Sequence, residues 1–130
     1  MKLASPPVGQ VDSRRVASAD QLRVFKAELF KALAHPSRIK ILDLLRDQSR
    51  TVSELQAQLG IEPSSVSQQL AVLRAKHLVD GRREGISVYY SVRDPQIFTL
   101  LDAARTIFDN HLVTLRAMAG EDTALSGAAG

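Results

Sequence analysis

Residues 52–73 read VSELQAQLGIEPSSVSQQLAVL and contain two short helical patterns separated by a turn. The first pattern places Leu55 and Leu59 on one face of a helix. Ser53 is expected to cap the start of this helix, and Gly60 supplies the left-handed residue with which a helix can end. This first helix is therefore predicted to be only about two turns long.

The second helical pattern is predicted to start at Ser64, after the turn Ile61-Glu62-Pro63, and to reach about His77. Its apolar side chains recur at helical spacing and are expected to face the core: Val66, Leu70 and Leu73. Because so tight a turn joins the two helices, the sequence predicts a helix-turn-helix.

The segments on either side of this pair complete the predicted fold. Two helices are expected before it, from about Asp20 to Leu33 and from Pro36 to about Asp47. After it, alternation on both sides of a turn at Glu84-Gly85 predicts a β-hairpin, and a last helix is expected from roughly Pro95 to Met118. The predicted fold is a winged helix-turn-helix, mainly α with a two-stranded β-wing and about five helices.

The ends of the chain lack both helical and alternating periodicity. Residues 1–18 are rich in Ser, Pro, Gly and Val, and residues 119–130 in Ala and Gly. We predict two disordered tails flanking one DNA-binding and dimerisation domain at residues 19–118, which suits a chain of 130 residues.

Composition and charge exclude several classes of function. The chain contains no cysteine, which rules out thiolate metal sites and thiol switches, and it shows no triad pattern or Gly-rich phosphate loop of an enzyme. No secretory or membrane-spanning segment is recognisable, so a cytoplasmic protein without membrane contact is expected. The whole formal excess of +3 falls within residues 64–93, where a nucleic-acid partner could bind.

The second helix of the pair carries small polar side chains on its expected outer face. Ser and Gln can hydrogen-bond base edges or phosphate, whereas Glu and Lys are more usual on a plain surface helix. Basic residues at the end of that helix and in the hairpin can contact phosphate. The predicted residues of a double-stranded DNA interface are Ser64, Ser65, Ser67, Gln68, Gln69, Arg74, Arg82 and Arg83.

The order of these motifs resembles the ArsR/SmtB family of bacterial repressors. The similarity is carried by FKALAHPSRIKIL at residues 30–42, the helix pair within 52–73, Leu78-Val79, Arg83-Glu84-Gly85 and Tyr89-Tyr90. The resemblance covers about residues 20–112. It implies a homodimer built on the first and last helices, binding to a partly palindromic operator, and in many members release of DNA when an inducer binds.

The inducer sites that the resemblance implies are largely absent from this sequence. The thiolate site of the family's soft-metal sensors would need cysteines where this chain has Thr51 and Ser53. In the nickel, zinc or cobalt site on the last helix, Asp94 matches a ligand position, but the other three positions do not. They are occupied by Gln96, Ile107 and Asn110. We therefore expect no cofactor and no metal.

Two alternatives remain at this stage. A displaced nickel or zinc site on the last helix could use His111 with Asp109 or Asp102, since imidazole and carboxylate suit these ions. The winged helix could instead be a protein-interaction module, and salt dependence of binding would separate that reading from DNA binding.

Overall fold

A computed structural model describes the backbone of residues 18–128 and the side chains of residues 18–120. This part of the chain holds five helices and one two-stranded antiparallel sheet, as predicted. In chain order the elements are α1 (Ala19–Leu33), α2 (Pro36–Leu44), α3 (Val52–Leu59), α4 (Pro63–Ala75), β1 (Val79–Glu84), β2 (Ser87–Val92) and α5 (Gln96–Ala128).

The first two helices are capped by side chains at their N-termini. At α1 the amide of Gln21 donates to Ser18 Oγ at 3.0 Å while the amide of Ser18 donates to Gln21 Oε1 at 2.9 Å. At α2, Nδ1 of His35 accepts a hydrogen bond from the amide of Ser37 at 3.2 Å. The second helix ends at Leu44, three residues before the predicted end.

The cap of α3 differs from the prediction. Thr51, not Ser53, is the N-cap, and its hydroxyl accepts from the amide of Glu54 at 3.2 Å. The carboxylate of Glu54 in turn accepts from the amide of Thr51 at 2.9 Å, which completes a capping box. The prediction for the other end is confirmed, because Gly60 has a left-handed backbone with φ 69°.

Helix α4 begins one residue earlier and ends two residues earlier than predicted. Pro63 occupies its first turn, where a missing N–H costs nothing, and Glu62 precedes it without a side-chain capping bond. The helix stops at Ala75, and His77 follows with a positive φ of 61° that no continuing helix allows.

Strands β1 and β2 form the predicted wing with Arg82 opposite Tyr89 and Glu84 opposite Ser87. The two residues that turn the chain are therefore Gly85 and Ile86, not Glu84 and Gly85. Gly85 has a φ of 65°, which a tight hairpin turn requires and glycine adopts without strain.

The wing is joined to the body of the domain by one backbone bridge. The amide of Arg50 donates to the carbonyl of Tyr90 at 3.0 Å, and the amide of Tyr90 donates back to the carbonyl of Arg50 at 2.8 Å. Strand β2 of the wing is thus hydrogen-bonded to the segment that directly precedes α3 in the chain.

The last helix continues to Ala128, ten residues beyond the predicted end at Met118. Residues 119–128 contain no proline, and adding residues to an existing helix is far easier than starting one. The remaining tail residues of the prediction, 1–17 and 129–130, lie outside the described part of the chain.

The hydrophobic core lies between the helix pair and its flanking elements. Its buried members come from every helix, from the C-cap of α2 and from the first strand: Leu33, Ile41, Leu42, Leu45, Leu55, Val66, Leu70, Leu73, Val79 and Ile97. The three apolar residues predicted to face inward from α4 are all at most 1% exposed. This packing fixes which face of α4 remains outside. No helix in the described range has the length and apolar character needed to cross a membrane.

Candidate nucleic-acid interface

The outer face of α4 carries neutral hydrogen-bonding side chains near its N-terminus. Ser64, Ser67 and Gln68 are exposed, whereas Ser65 and Gln69 are half-buried at the edge of the core. The first turn contains no acidic residue, and the one acidic side chain next to it is the exposed N-cap Glu62. The five Ser and Gln residues of the predicted set therefore divide into three exposed side chains and two that border the domain interior.

One of the half-buried pair is bound to another helix. Nη1 of Arg38, in α2, donates to Oε1 of Gln69 at 3.0 Å. Nε of Arg38 donates at 2.6 Å to the carbonyl of Ala32 in the last turn of α1. No role for Arg38 was predicted, because a contact between residues 31 positions apart leaves no local signal in the sequence.

The C-terminal part of α4 meets the wing at a glycine. A Cβ atom at Gly81 would lie 3.2 Å from Tyr90 Cε1 and 3.3 Å from Arg74 Nη1, tighter than most carbon contacts. The lack of a side chain at Gly81 therefore lets the guanidinium of Arg74 approach the wing. Arg74 itself stays exposed.

The two arginines of the wing differ in their surroundings. Successive residues of a strand point to opposite faces, so Arg83 shares the face of Gly81 while Arg82 shares that of Glu84. Nη2 of Arg82 lies 2.7 Å from Oε2 of Glu84. Among the described residues no partner forms a hydrogen bond or ion pair with the side chain of Arg83, and Arg83 is exposed. Among the described residues, Arg74 near the end of α4 and Arg83 in the wing thus carry positive charges that no ion pair neutralises.

A further ion pair joins Asp80 of β1 to Arg93, the residue that directly follows β2. Nη2 of Arg93 is 2.8 Å from Oδ1 of Asp80, and this hydrogen bond holds the pKa of Asp80 below its ordinary value. The nearby charge of Arg74 lowers the pKa further. Asp80 therefore stays ionised at neutral pH and is neutralised by Arg93, so it does not cancel the charge of Arg83.

The metal-ligand candidates on α5 do not form a binding cluster. Asp102 accepts a hydrogen bond from Nη2 of Arg46 at 2.7 Å, and that bond, with a second that Arg46 donates to Asp43, raises the pKa of Arg46. Asp109 lies 3.9 Å from Arg105, and His111 is exposed. Within the described residues no three His, Cys, Asp or Glu side chains are arranged to share a metal ion.

Comparisons with known proteins agree with this architecture. Residues 35–80 match the family model described as bacterial regulatory protein, arsR family. The HTH-type transcriptional regulator Rv0081 of Mycobacterium tuberculosis is 47% identical over 90 residues, covering 68% of this chain and 79% of the relative. The transcriptional repressor SmtB homolog of Synechocystis is 38% identical over 105 residues, covering 77% and 79%.

Solved structures show the same fold. The crystal structure of Rv0081 superposes with a TM-score of 0.66 at 46% identity, covering 72% of this chain and 94% of that one. The homodimeric winged helix-turn-helix DNA-binding domain of Mb0332 from Mycobacterium bovis gives a TM-score of 0.66 at 31% identity, covering 75% and 90%.

Fold and site together define a winged helix-turn-helix transcriptional regulator that binds DNA. The chain belongs to the ArsR family of bacterial regulatory proteins. This confirms the family resemblance and the fold class derived from the sequence. It also confirms that the protein is a regulator and not an enzyme, since the family consists of regulators.

Proposed function

We propose that the protein is a transcriptional repressor that binds a partly palindromic operator as a homodimer. In this arrangement α4 enters the major groove and the wing lies along the phosphate backbone. The observation that carries the proposal is the outer face of α4, where Ser64, Ser67 and Gln68 are exposed beside a helix face that is fully buried.

The proposal assigns different roles to the polar and basic residues. Gln68 and Ser67 contact base edges, because amide and hydroxyl groups can pair with the donors and acceptors of the major groove. Arg74 and Arg83 contact phosphates, which adds affinity without sequence preference. The relatives named as repressors support repression as the regulatory outcome.

The apolar surface of α1 and α5 supports a homodimer. In a single chain the large apolar residues Leu22 and Phe25 of α1 are exposed, at 45% and 62%. Helix α5 likewise exposes large apolar side chains, namely Ile107, Phe108, Val113, Leu115 and Met118. Apolar surface on two helices of a small domain marks an interface, and one related structure is titled as a homodimer.

Selection of DNA from a random duplex pool tests this function. The purified chain is expected to enrich an inverted repeat, because a two-fold symmetric dimer places its two α4 helices in successive major grooves. The half-site centres should lie about 10 base pairs apart, one turn of DNA. A pool that shows no enrichment over several rounds, or enrichment of a single unrepeated half-site, would contradict the proposal.

A further inference from the structure

Arg38 connects α1, which belongs to the proposed dimer interface, with α4, which belongs to the proposed DNA interface. Its Nε donates to the carbonyl of Ala32 at 2.6 Å and its Nη2 to that of Lys31 at 3.5 Å, both in the last turn of α1. A cation is favoured there by the negative end of the helix dipole. Its Nη1 donates to Oε1 of Gln69 on α4 at 3.0 Å. One guanidinium thus spans from the end of α1 to the DNA-facing helix.

This bridge determines which end of the Gln69 amide is available. Arginine carries only donors, so the group facing it must be the amide oxygen and not the NH₂ group. With its oxygen directed toward α2, Gln69 has its two N–H donors left for another partner. Gln69 is half-buried, and it lies one residue from the exposed Gln68.

The restriction matters because glutamine has two ways of contacting DNA. A freely rotating amide can pair with adenine through both groups, accepting from N6 and donating to N7. An amide oxygen has two lone pairs, and the one that accepts from Arg38 is not available to adenine, so the bound amide offers DNA its N–H donors rather than its oxygen. The side chain of Gln68 has no hydrogen-bond partner among the described residues, so its amide is free to use both groups.

We propose that Arg38 is a positioning residue that makes Gln69 a hydrogen-bond donor toward DNA. Gln69 then contacts an acceptor atom, either a purine N7 or a phosphate oxygen, and does not pair with adenine through both amide groups. The inference rests on the proposed DNA-binding function and adds to it the chemistry of one contact.

Operator duplexes with single atoms replaced test the contact directly. In separate duplexes a purine carries carbon in place of N7, a phosphate is replaced by methylphosphonate, or an adenine lacks its 6-amino group. One N7 or phosphate substitution is expected to weaken wild-type binding by about two- to tenfold, the effect of one hydrogen bond. The same substitution should have no further effect on Gln69→Met. The N7 and methylphosphonate duplexes distinguish the two acceptors.

Gln68→Met is the matched control on the same helix. Removing the 6-amino group of adenine should weaken binding by the wild type and by Gln69→Met, but should have no further effect on binding by Gln68→Met. Arg38→Met should make Gln69 sensitive to the 6-amino group, because the oxygen is released. Arg38→Met also removes a cap from α1, so Gln69→Glu provides a variant that keeps the Arg38 contact. The Gln69→Glu variant should remain folded, and its affinity for DNA should no longer depend on the purine N7 or the phosphate oxygen.

These measurements distinguish failure of this inference from failure of the proposed function. The inference is overturned, while DNA binding itself stands, if Gln69→Met abolishes the effect of removing the 6-amino group, or if it changes the effect of no N7 or phosphate substitution. If the wild-type protein binds no selected duplex at all, the proposed function fails and this inference fails with it.

Discussion

The guanidinium of Arg82 lies 2.7 Å from the carboxylate of Glu84, on the face of the wing opposite to Arg83. Two adjacent arginines of the same hairpin therefore have different electrostatic environments. Arg82 is neutralised by a neighbour two residues away, whereas Arg83 keeps its full positive charge.

Glu84→Gln is expected to tighten binding to any duplex, because it frees Arg82 and removes a negative charge near the phosphates. An exposed ion pair contributes at most about 1 kcal/mol, so the gain should not exceed roughly fivefold. Fluorescence anisotropy on operator and scrambled duplexes measures it. Asp47→Asn makes the same charge change at an exposed residue outside the two strands of the wing. A gain no larger than that of Asp47→Asn would show that Glu84 does not limit binding.

Arg83→Ala is expected to weaken binding to all sequences alike, because a phosphate contact carries no base preference. The slope of log affinity against log salt should fall by about one, the value for one lost phosphate contact. Arg82→Ala should change the slope less, and Arg105→Ala on α5 is the control for loss of an arginine elsewhere. Equal slopes for wild type and Arg83→Ala would remove Arg83 from the interface.

Phe108→Glu is expected to dissociate the homodimer by placing a charge in the apolar surface of α5, where Phe108 is 55% exposed in the single chain. Sedimentation velocity should show the wild type as a dimer and the variant as a monomer or an unfolded chain. Asn110→Glu adds the same charge on roughly the opposite side of the helix and should leave the dimer intact. A wild-type monomer at micromolar concentration would contradict the proposed assembly.

Metal binding is expected to be absent. A metal ion at Asp102 would have to displace Arg46 from a 2.7 Å ion pair, and one at Asp109 would lie beside Arg105. Titration calorimetry with nickel, zinc and cobalt should therefore detect no tight site. Tight binding that disappears in His111→Ala and lowers operator affinity would instead establish the displaced metal site considered from the sequence.

Local sequence signals were sufficient to predict most of the fold. Gly60 and Gly85 were recognisable because left-handed positions select glycine, and the inward face of α4 followed from its helical spacing. The capping box of Thr51 and Glu54 was also visible as Thr-x-x-Glu, but Ser53 was predicted as the cap. Glu54 lies three residues after Thr51 but directly after Ser53, and only the three-residue spacing forms a capping box.

The parts of the site that were not predicted from the sequence depend on tertiary contacts. The bridge from Arg38 to Gln69 and the backbone pairing of Arg50 with Tyr90 join distant parts of the chain, so neither leaves a local pattern. The difference between Arg82 and Arg83 was in principle predictable, because residues two apart in a strand share a face. It was missed because the two arginines were treated as one basic group.

The most direct test of sequence-specific DNA recognition through α4 is one anisotropy titration at fixed salt, on the selected operator and on a scrambled duplex. The wild type should prefer the operator by about a thousandfold or more. Gln68→Ala should lose about 1 to 3 kcal/mol on the operator and almost nothing on the scrambled duplex, because a base contact exists only on the operator. Gln96→Ala, an exposed glutamine on α5, should match the wild type. Equal affinity of the wild type for both duplexes, or an equal loss on both in Gln68→Ala, would contradict the account.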